Sequence, residues 1–298
     1  MRFSFWPNPG QSYTDVLALA EHVERTGWDG IWYADHFMPN ADDTSAPWPE
    51  AWTTLSALAA RVPRLRIGTL VSGNTYRHPA VLAKMAATLD HISDGRVVLG
   101  LGAGWQENEH QQYGLDFYDV KERLARLDEA CQVIKALYTA SSANFAGDYY
   151  QLTNASLEPK PVQTPLPLMI GGGGEKVTLR ITAQHADEWN VWGTVDILKH
   201  KMSVLDAHCE RLGRNPNDIQ RSAVALLFMS DDEKFVKKMK DTELAQPAIV
   251  GSPAEVADIA AAYQDIGVDE LIVPDFTLGP MAQKLDTLDT FIKDVAGR

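Results

Sequence analysis

Arg96-Val97-Val98-Leu99-Gly100-Leu101-Gly102 is an almost unbroken apolar run of strand length. A strand with one wet face alternates apolar and polar side chains, whereas a parallel strand covered on both faces does not. Working outward, comparable runs occur near 2–6, 29–34, 66–72, 167–170, 188–192, 221–229 and 268–273. Between them lie segments of helical period near 12–26, 50–61, 78–91, 119–140, 175–185, 195–212 and 253–266, with a last one at 281–296. In 119–140, for example, Leu124, Leu127, Cys131, Ile134, Leu137 and Tyr138 recur at helical spacing with charges between them. Eight strand–helix units, each with room for a right-handed crossover, predict an α/β fold, a (β/α)8 TIM barrel with short insertions. An open doubly wound sheet is the competing arrangement.

The chain has 298 residues, the length of one such barrel, with two small domains as the other division. We expect a single domain over 1–298. Two segments break the rhythm. Residues 141–166 carry Tyr149-Tyr150 and then Pro159, Pro161 and Pro165, with Pro167 just beyond, which predicts a short hairpin and a stiff return. Residues 230–248 are rich in charge and predict an exposed helical insertion or lid.

Hydrophobic residues make up 45% and charged residues 22%, as in ordinary soluble enzymes. The formal charge of −13 argues against a nucleic-acid surface, while leaving room for a locally positive pocket. No apolar stretch reaches the ~18 residues of a membrane span, and the N-terminus lacks the apolar run of a signal peptide. Cys131 and Cys209 are far apart and match no zinc or C-x-x-C spacing, so a cytoplasmic protein without a metal is expected.

In a TIM barrel the chemistry sits where strands end and βα loops begin. Strand 2 ends in Trp32-Tyr33-Ala34-Asp35-His36, which makes His36 the candidate proton carrier. Strand 3 leads through Leu70, Val71 and Ser72 to Gly73-Asn74-Thr75 and His78-Pro79, a polar cluster suited to a cofactor edge or simply to a loop and helix cap. Strand 4 ends in Gly102-Ala103-Gly104-Trp105, where glycines let a flat ring or a phosphate approach the backbone, although this is no Rossmann fingerprint. Gly171-Gly172-Gly173-Gly174 lies between a strand and a helix and bares N–H groups at a positive helix end. That is an anion site by geometry, to which Lys176 adds charge.

With these segments in view, the chain resembles the luciferase-like flavin and F420-dependent oxidoreductases. The resemblance is carried by Trp32 to His36, Gly100 to Trp105 and Ile170 to Gly174, and further by Ala186-Asp187-Glu188-Trp189-Asn190 and Val250-Gly251-Ser252-Pro253-Ala254-Glu255, in order across nearly the whole chain. It implies the barrel, a homodimer, a tricyclic cofactor across the barrel mouth, and a non-proline cis peptide at the end of strand 3, at Leu70–Val71. At Asp35-His36 the likeness is to the F420-dependent branch, where the histidine neighbours the hydride-bearing carbon. FMN-dependent members often hold the FMN phosphate with a His and a Tyr four apart, and those places hold Val120 and Leu124 here. Coenzyme F420 is therefore the expected cofactor, with FMN as the alternative.

Similar sugar-phosphate dehydrogenases carry a glutamate directly after the strand-4 glycines, where this chain has Trp105, with Glu107 or Glu109 as substitutes from the loop. Trp6, Trp48, Trp105 and Trp192 read as a pocket for a small apolar or aromatic substrate, with ordinary packing as the plain alternative. The expected activity is hydride transfer between F420 and a small organic molecule. An FMN-dependent monooxygenase and a non-catalytic flavin-binding barrel are the competing readings.

Overall fold

Eight parallel strands close on themselves in the computed structural model, which describes residues 1–242 and 248–298. They are β1 (Arg2–Trp6), β2 (Gly30–Tyr33), β3 (Arg66–Thr69), β4 (Val97–Gly102), β5 (Leu168–Gly171), β6 (Glu188–Trp192), β7 (Gln220–Val224) and β8 (Glu270–Pro274). Each pairs with the next, and β8 returns to β1 in a register running from Arg2 opposite Glu270 to Trp6 opposite Pro274. Closure removes both sheet edges and excludes the open doubly wound arrangement.

The barrel interior holds Trp6, Trp32, Ala34, Leu70, Val98, Met169, Val224 and Ile272, a packed layer rather than a pore. A second, larger apolar layer lies between the strands and the outer helices. Local chemistry starts and stops those helices as the sequence suggests. Ser12 accepts from the Asp15 N–H ahead of Tyr13–Thr26, and Gly27 closes that helix at φ 95°. Ser252 and Glu255 form a capping box, with Pro253 in the first turn of Pro253–Asp265. At the bottom of the barrel, where strands begin, Arg66 bridges Glu188 and Glu270.

The insertions differ in part from expectation. Ala143–Ala146 and Gln151–Ala155 form the hairpin predicted within 141–166. The run 221–229 is not one strand: β7 ends at Val224, and Leu226–Met229 pairs outside the barrel with Ala248–Gly251. The expected helix in 230–248 is Glu233–Lys240, while residues 243–247 of that segment lie outside the described residues. One short helix, Glu107–Tyr113, was not foreseen, and it matters below. No described helix is long and apolar enough to cross a membrane.

Candidate active site

The exit of β2 is built around two carboxylates with different duties. Asp35, 1% exposed, receives both arms of the Arg77 guanidinium at 2.6 and 3.1 Å. Arg77 also reaches Glu50 at 2.7 Å, and Glu50 caps the helix Ala51–Ala59 through the N–H groups of Trp52 and Thr53. Asp35 thereby ties the β2 loop to the β3 loop.

His36 belongs to a second cluster. Its Nδ1 lies 2.8 Å from Oε1 of the fully buried Glu109, whose Oε2 accepts the Phe37 N–H at 2.8 Å. The Tyr76 hydroxyl donates to the same Oε1 and sits 3.2 Å from the His36 Nδ1. Burial alone pushes the Glu109 carboxyl up, but hydrogen bonds from His36, Phe37 and Tyr76 outweigh it and hold Glu109 below the usual carboxylate range. Burial and the Glu109 charge push the Tyr76 phenol well above its ordinary value, so it remains a donor. An ionised carboxylate only accepts, which puts a proton on Nδ1 and leaves Nε2 of a neutral imidazole as an acceptor. Among the described residues no protein group bonds that Nε2.

Glu107, the other glutamate considered from sequence, is exposed and accepts from its own helix neighbour Gln111 at 2.9 Å. Residues two apart on a helix face different ways, so Glu107–Tyr113 turns one glutamate inward and the other out. Tyr76 and Arg77 were not singled out in the sequence. The clue available was their place in the strand-3 exit, one loop from Asp35 and His36.

A prediction follows from the Glu109 shift. A carboxylate held below its unfolded value contributes stability above that unfolded value, near pH 4, and loses it as pH falls through the folded one. Glu109→Gln should therefore cost about 1–3 kcal/mol at pH 7. The gap between wild type and variant should narrow in urea unfolding at about pH 3.5. A gap independent of pH would show that the charge at Glu109 does not matter.

Behind this cluster the Leu70–Val71 peptide is cis, as the resemblance implied. The glycines of β4 and β5 serve that bend directly. A Cβ on Gly102 would come 2.8 Å from Val71 Cγ2, one on Gly171 would come 2.9 Å from Val71, and one on Gly100 would strike the Thr69 carbonyl at 2.0 Å. Gly102 and Gly171 are small because Val71 packs there, whereas the sequence reading had reserved their space for a ligand. Ser72 is buried, accepts from Trp52 Nε1 at 3.0 Å and donates to Thr69, so its hydroxyl is structural. His78 caps its helix with Pro79 at the start, the plainer of the two readings. Ala103 is half-buried, and Gly104 turns at φ 82° against Thr75.

The glycine run leaves an unfilled set of donors. Gly172, at φ 128°, donates to Asn190 at 3.0 Å, and the helix starts only at Thr178, not near Glu175 as expected. Among the described residues, no protein acceptor takes the N–H of Gly173, Gly174, Glu175, Lys176 or Val177. Lys176 is exposed, while Glu175 is paired with Lys201 at 2.5 Å and His200 at 3.1 Å. Successive free amides at a helix start form an anion-binding nest. Beside it runs a groove of about 680 Å³ whose lining includes Val120, Leu124, Tyr149, Val177 and Arg180.

Aromatic side chains gather on the β1, β6 and β8 side of the mouth. The Trp6 ring lies 5.6 Å from Trp192 and 5.1 Å from Phe276. Trp105 stands edge-on to His36 at 5.4 Å. Trp48 is half-buried and packs beside Asn8 and Gly10, nearer the rim loops. Among the described residues no cluster of metal-ligand type occurs.

Residues 1–238 match the luciferase-like monooxygenase family. The chain belongs to that family. Among its luciferase-like relatives, an F420-dependent glucose-6-phosphate dehydrogenase of Kineococcus radiotolerans is 39% identical over 255 residues, covering 81% of this chain and 74% of that protein. A protein of the same description from Amycolatopsis mediterranei is 41% identical over 165 residues, but the chain spans about half of its length (49%). The fold is shared with an F420-dependent secondary alcohol dehydrogenase solved with an F420–acetone adduct, at a TM-score of 0.86 and 20% identity over 99% of this chain and 98% of that one.

Within this luciferase-like barrel, the residues fit a cofactor with an anionic tail. The amides from Gly173 to Val177 have no protein acceptor among the described residues and lie in a largely exposed stretch, open to an anionic ligand. Val120 and Leu124, where the resemblance places the His and Tyr that often hold an FMN phosphate, line the adjoining groove and offer no donor side chain.

Proposed function

We propose that this chain is an F420-dependent oxidoreductase, transferring a hydride between the deazaflavin and a small organic substrate. The observation that carries the reading is His36, held through Nδ1 by the buried Glu109 and with Nε2 unpartnered at the catalytic end of the barrel. The bound F420 supplies the two-electron hydride carrier. Leu70 and Val71 would lie behind its ring, and the Gly173–Val177 amides with Lys176 would hold its anionic tail. The His36 Nε2 accepts the proton of a substrate hydroxyl in oxidation and returns it to a carbonyl oxygen in reduction. Glu109 and Tyr76 keep the imidazole in the tautomer that does so. The single domain over 1–298, the homodimer and the cytoplasmic setting belong to the same proposal, and sedimentation velocity tests the dimer.

Turnover separates this reading from a monooxygenase. With an alcohol and ketone panel, F420 should be reduced or reoxidised without dioxygen uptake. Substrate-dependent dioxygen uptake with reduced FMN would replace the reading with the FMN alternative.

The tail site makes a further prediction. A Cβ on Gly173 would already stand 3.0 Å from Val191 Cγ2, so Gly173→Val should force the run aside and cover its amides. We expect F420 affinity to fall about tenfold, roughly 1.4 kcal/mol. Lys176→Ala should weaken binding less than about threefold, and less again at high salt. Fluorescence titration with F420 at two ionic strengths measures both, and wild-type binding by both variants would move the tail elsewhere.

A further inference from the structure

The loops around His36 carry almost no usable positive charge. The loop after β2, residues 34–50, contains Asp35, Asp42, Asp43 and Glu50 and neither Lys nor Arg. The segment after β4, residues 103–119, contains Glu107, Glu109, Asp116 and Asp119, again without Lys or Arg. The loops after β1 and β6, residues 7–12 and 193–194, have no charge, and residues 275–280 after β8 contribute Asp275. Three of the cations that do approach are committed. Arg77 is held by Asp35 and Glu50, Lys284 by Asp275 at 2.7 Å, and Lys201 by Glu175. Lys176 stands at the amide nest already assigned to the cofactor tail.

Further lysines toward this end are Lys121 and Lys199, exposed early in Val120–Thr139 and Val195–Leu212, and those on Glu233–Lys240, which packs Val236 against Phe228 and Val250 of the outer strand pair. Lys240 pairs with Glu255, and Lys237 lines a groove with Asp231, Glu233, Asp241 and Glu255. A phosphate dianion beside His36 would therefore lose hydration and face carboxylates, with no Lys or Arg in the loops after β1, β2, β4, β6 and β8 to offset them.

What the mouth offers instead is aromatic surface. Trp105, Trp192 and Phe276 are 60%, 38% and 41% exposed, and Trp192 and Phe276 form one patch with Trp6, the kind of contiguous aromatic surface that a ligand covers. Trp6, packed between Trp192 and Phe276, is 7% exposed, and its Nε1–H is buried with no acceptor. An unpaired buried donor inside an aromatic cluster suits a ligand oxygen.

We infer that the substrate is an uncharged molecule with an apolar, ring-sized body bearing a hydroxyl or carbonyl group, and not a phosphorylated sugar. The inference rests on the F420-dependent reading above, and it departs from the activity for which the curated relatives cited above are named. Calorimetric titration of the F420-loaded protein with acetophenone and with glucose 6-phosphate tests it, after F420 binding itself has been measured. Acetophenone should bind at least tenfold more tightly than glucose 6-phosphate. Trp105→Ala, at an exposed position that folding does not need, should weaken acetophenone at least fivefold. Absence of F420 binding would sink the cofactor reading instead. With F420 bound, tighter binding of glucose 6-phosphate, or acetophenone affinity indifferent to Trp105→Ala, would overturn the substrate class.

Discussion

Replacing His36 with alanine is expected to lower turnover by about 10² or more while leaving F420 affinity within severalfold. The size is that of a positioned acid or base, and the geometry gives the reason. Glu109 and Tyr76 occupy Nδ1, so the ring is oriented by buried partners while Nε2 stays open. Alanine removes the proton carrier without touching the amide nest at Gly173 to Val177 or the Val71 bend. Steady-state kinetics and an F420 titration on the same preparation separate the two effects. Unchanged turnover would take His36 out of the mechanism, and a large loss of F420 affinity would make it a binding residue.

Glu270→Leu is expected to destabilise the barrel by about 3–5 kcal/mol, the usual cost of breaking a buried ion pair from one side. Glu270 is fully buried and accepts from Arg66 at 2.8 Å, from Trp32 Nε1 at 2.8 Å and from Arg2 at 3.3 Å. Burial lowers the Arg66 guanidinium, yet Glu270 and Glu188 outweigh this and hold it above its ordinary value. Burial pushes the Glu188 carboxyl up, with Arg66 opposing and the like charge of Glu270 adding to it. The leucine variant leaves Arg66 with Glu188 as its one carboxylate partner and the Trp32 N–H with none. Because these groups start the strands, at the end opposite the mouth, the loss should appear in urea unfolding and leave KM unchanged. A loss under about 1 kcal/mol would mean that the network is no better than a hydrophobic plug.

The barrel was legible because continuous apolar runs report burial on two faces, and the run Arg96–Gly102 begins one residue before the observed Val97–Gly102. The same signal misled at 221–229, since burial says nothing about the partner. The chain leaves the barrel at Ala225 yet remains apolar, because Leu226–Met229 finds Ala248–Gly251. His36 was readable from its position at a strand end. Its partner was not, because Glu107–Tyr113 is short and polar. Without that helix the two glutamates cannot be assigned to opposite faces. Asp35 and Ser72 illustrate a different limit. Each lies beside the mouth in sequence, but Arg77 and Trp52, far along the chain, turn their side chains to structural work. Glycine is ambiguous for the same reason: Gly102 makes room for Val71, whereas Gly173 and Gly174 leave amides bare.

The central claim, a site built for a deazaflavin with an anionic tail, is tested most directly by titrating one preparation with F420 and with FMN and following the fluorescence of each. The account predicts saturable F420 binding at least tenfold tighter than FMN, because Val120 and Leu124 give an FMN phosphate no donor side chain while the Gly173–Val177 amides receive the F420 tail. FMN binding as tight as F420, or no F420 binding at all, would contradict it.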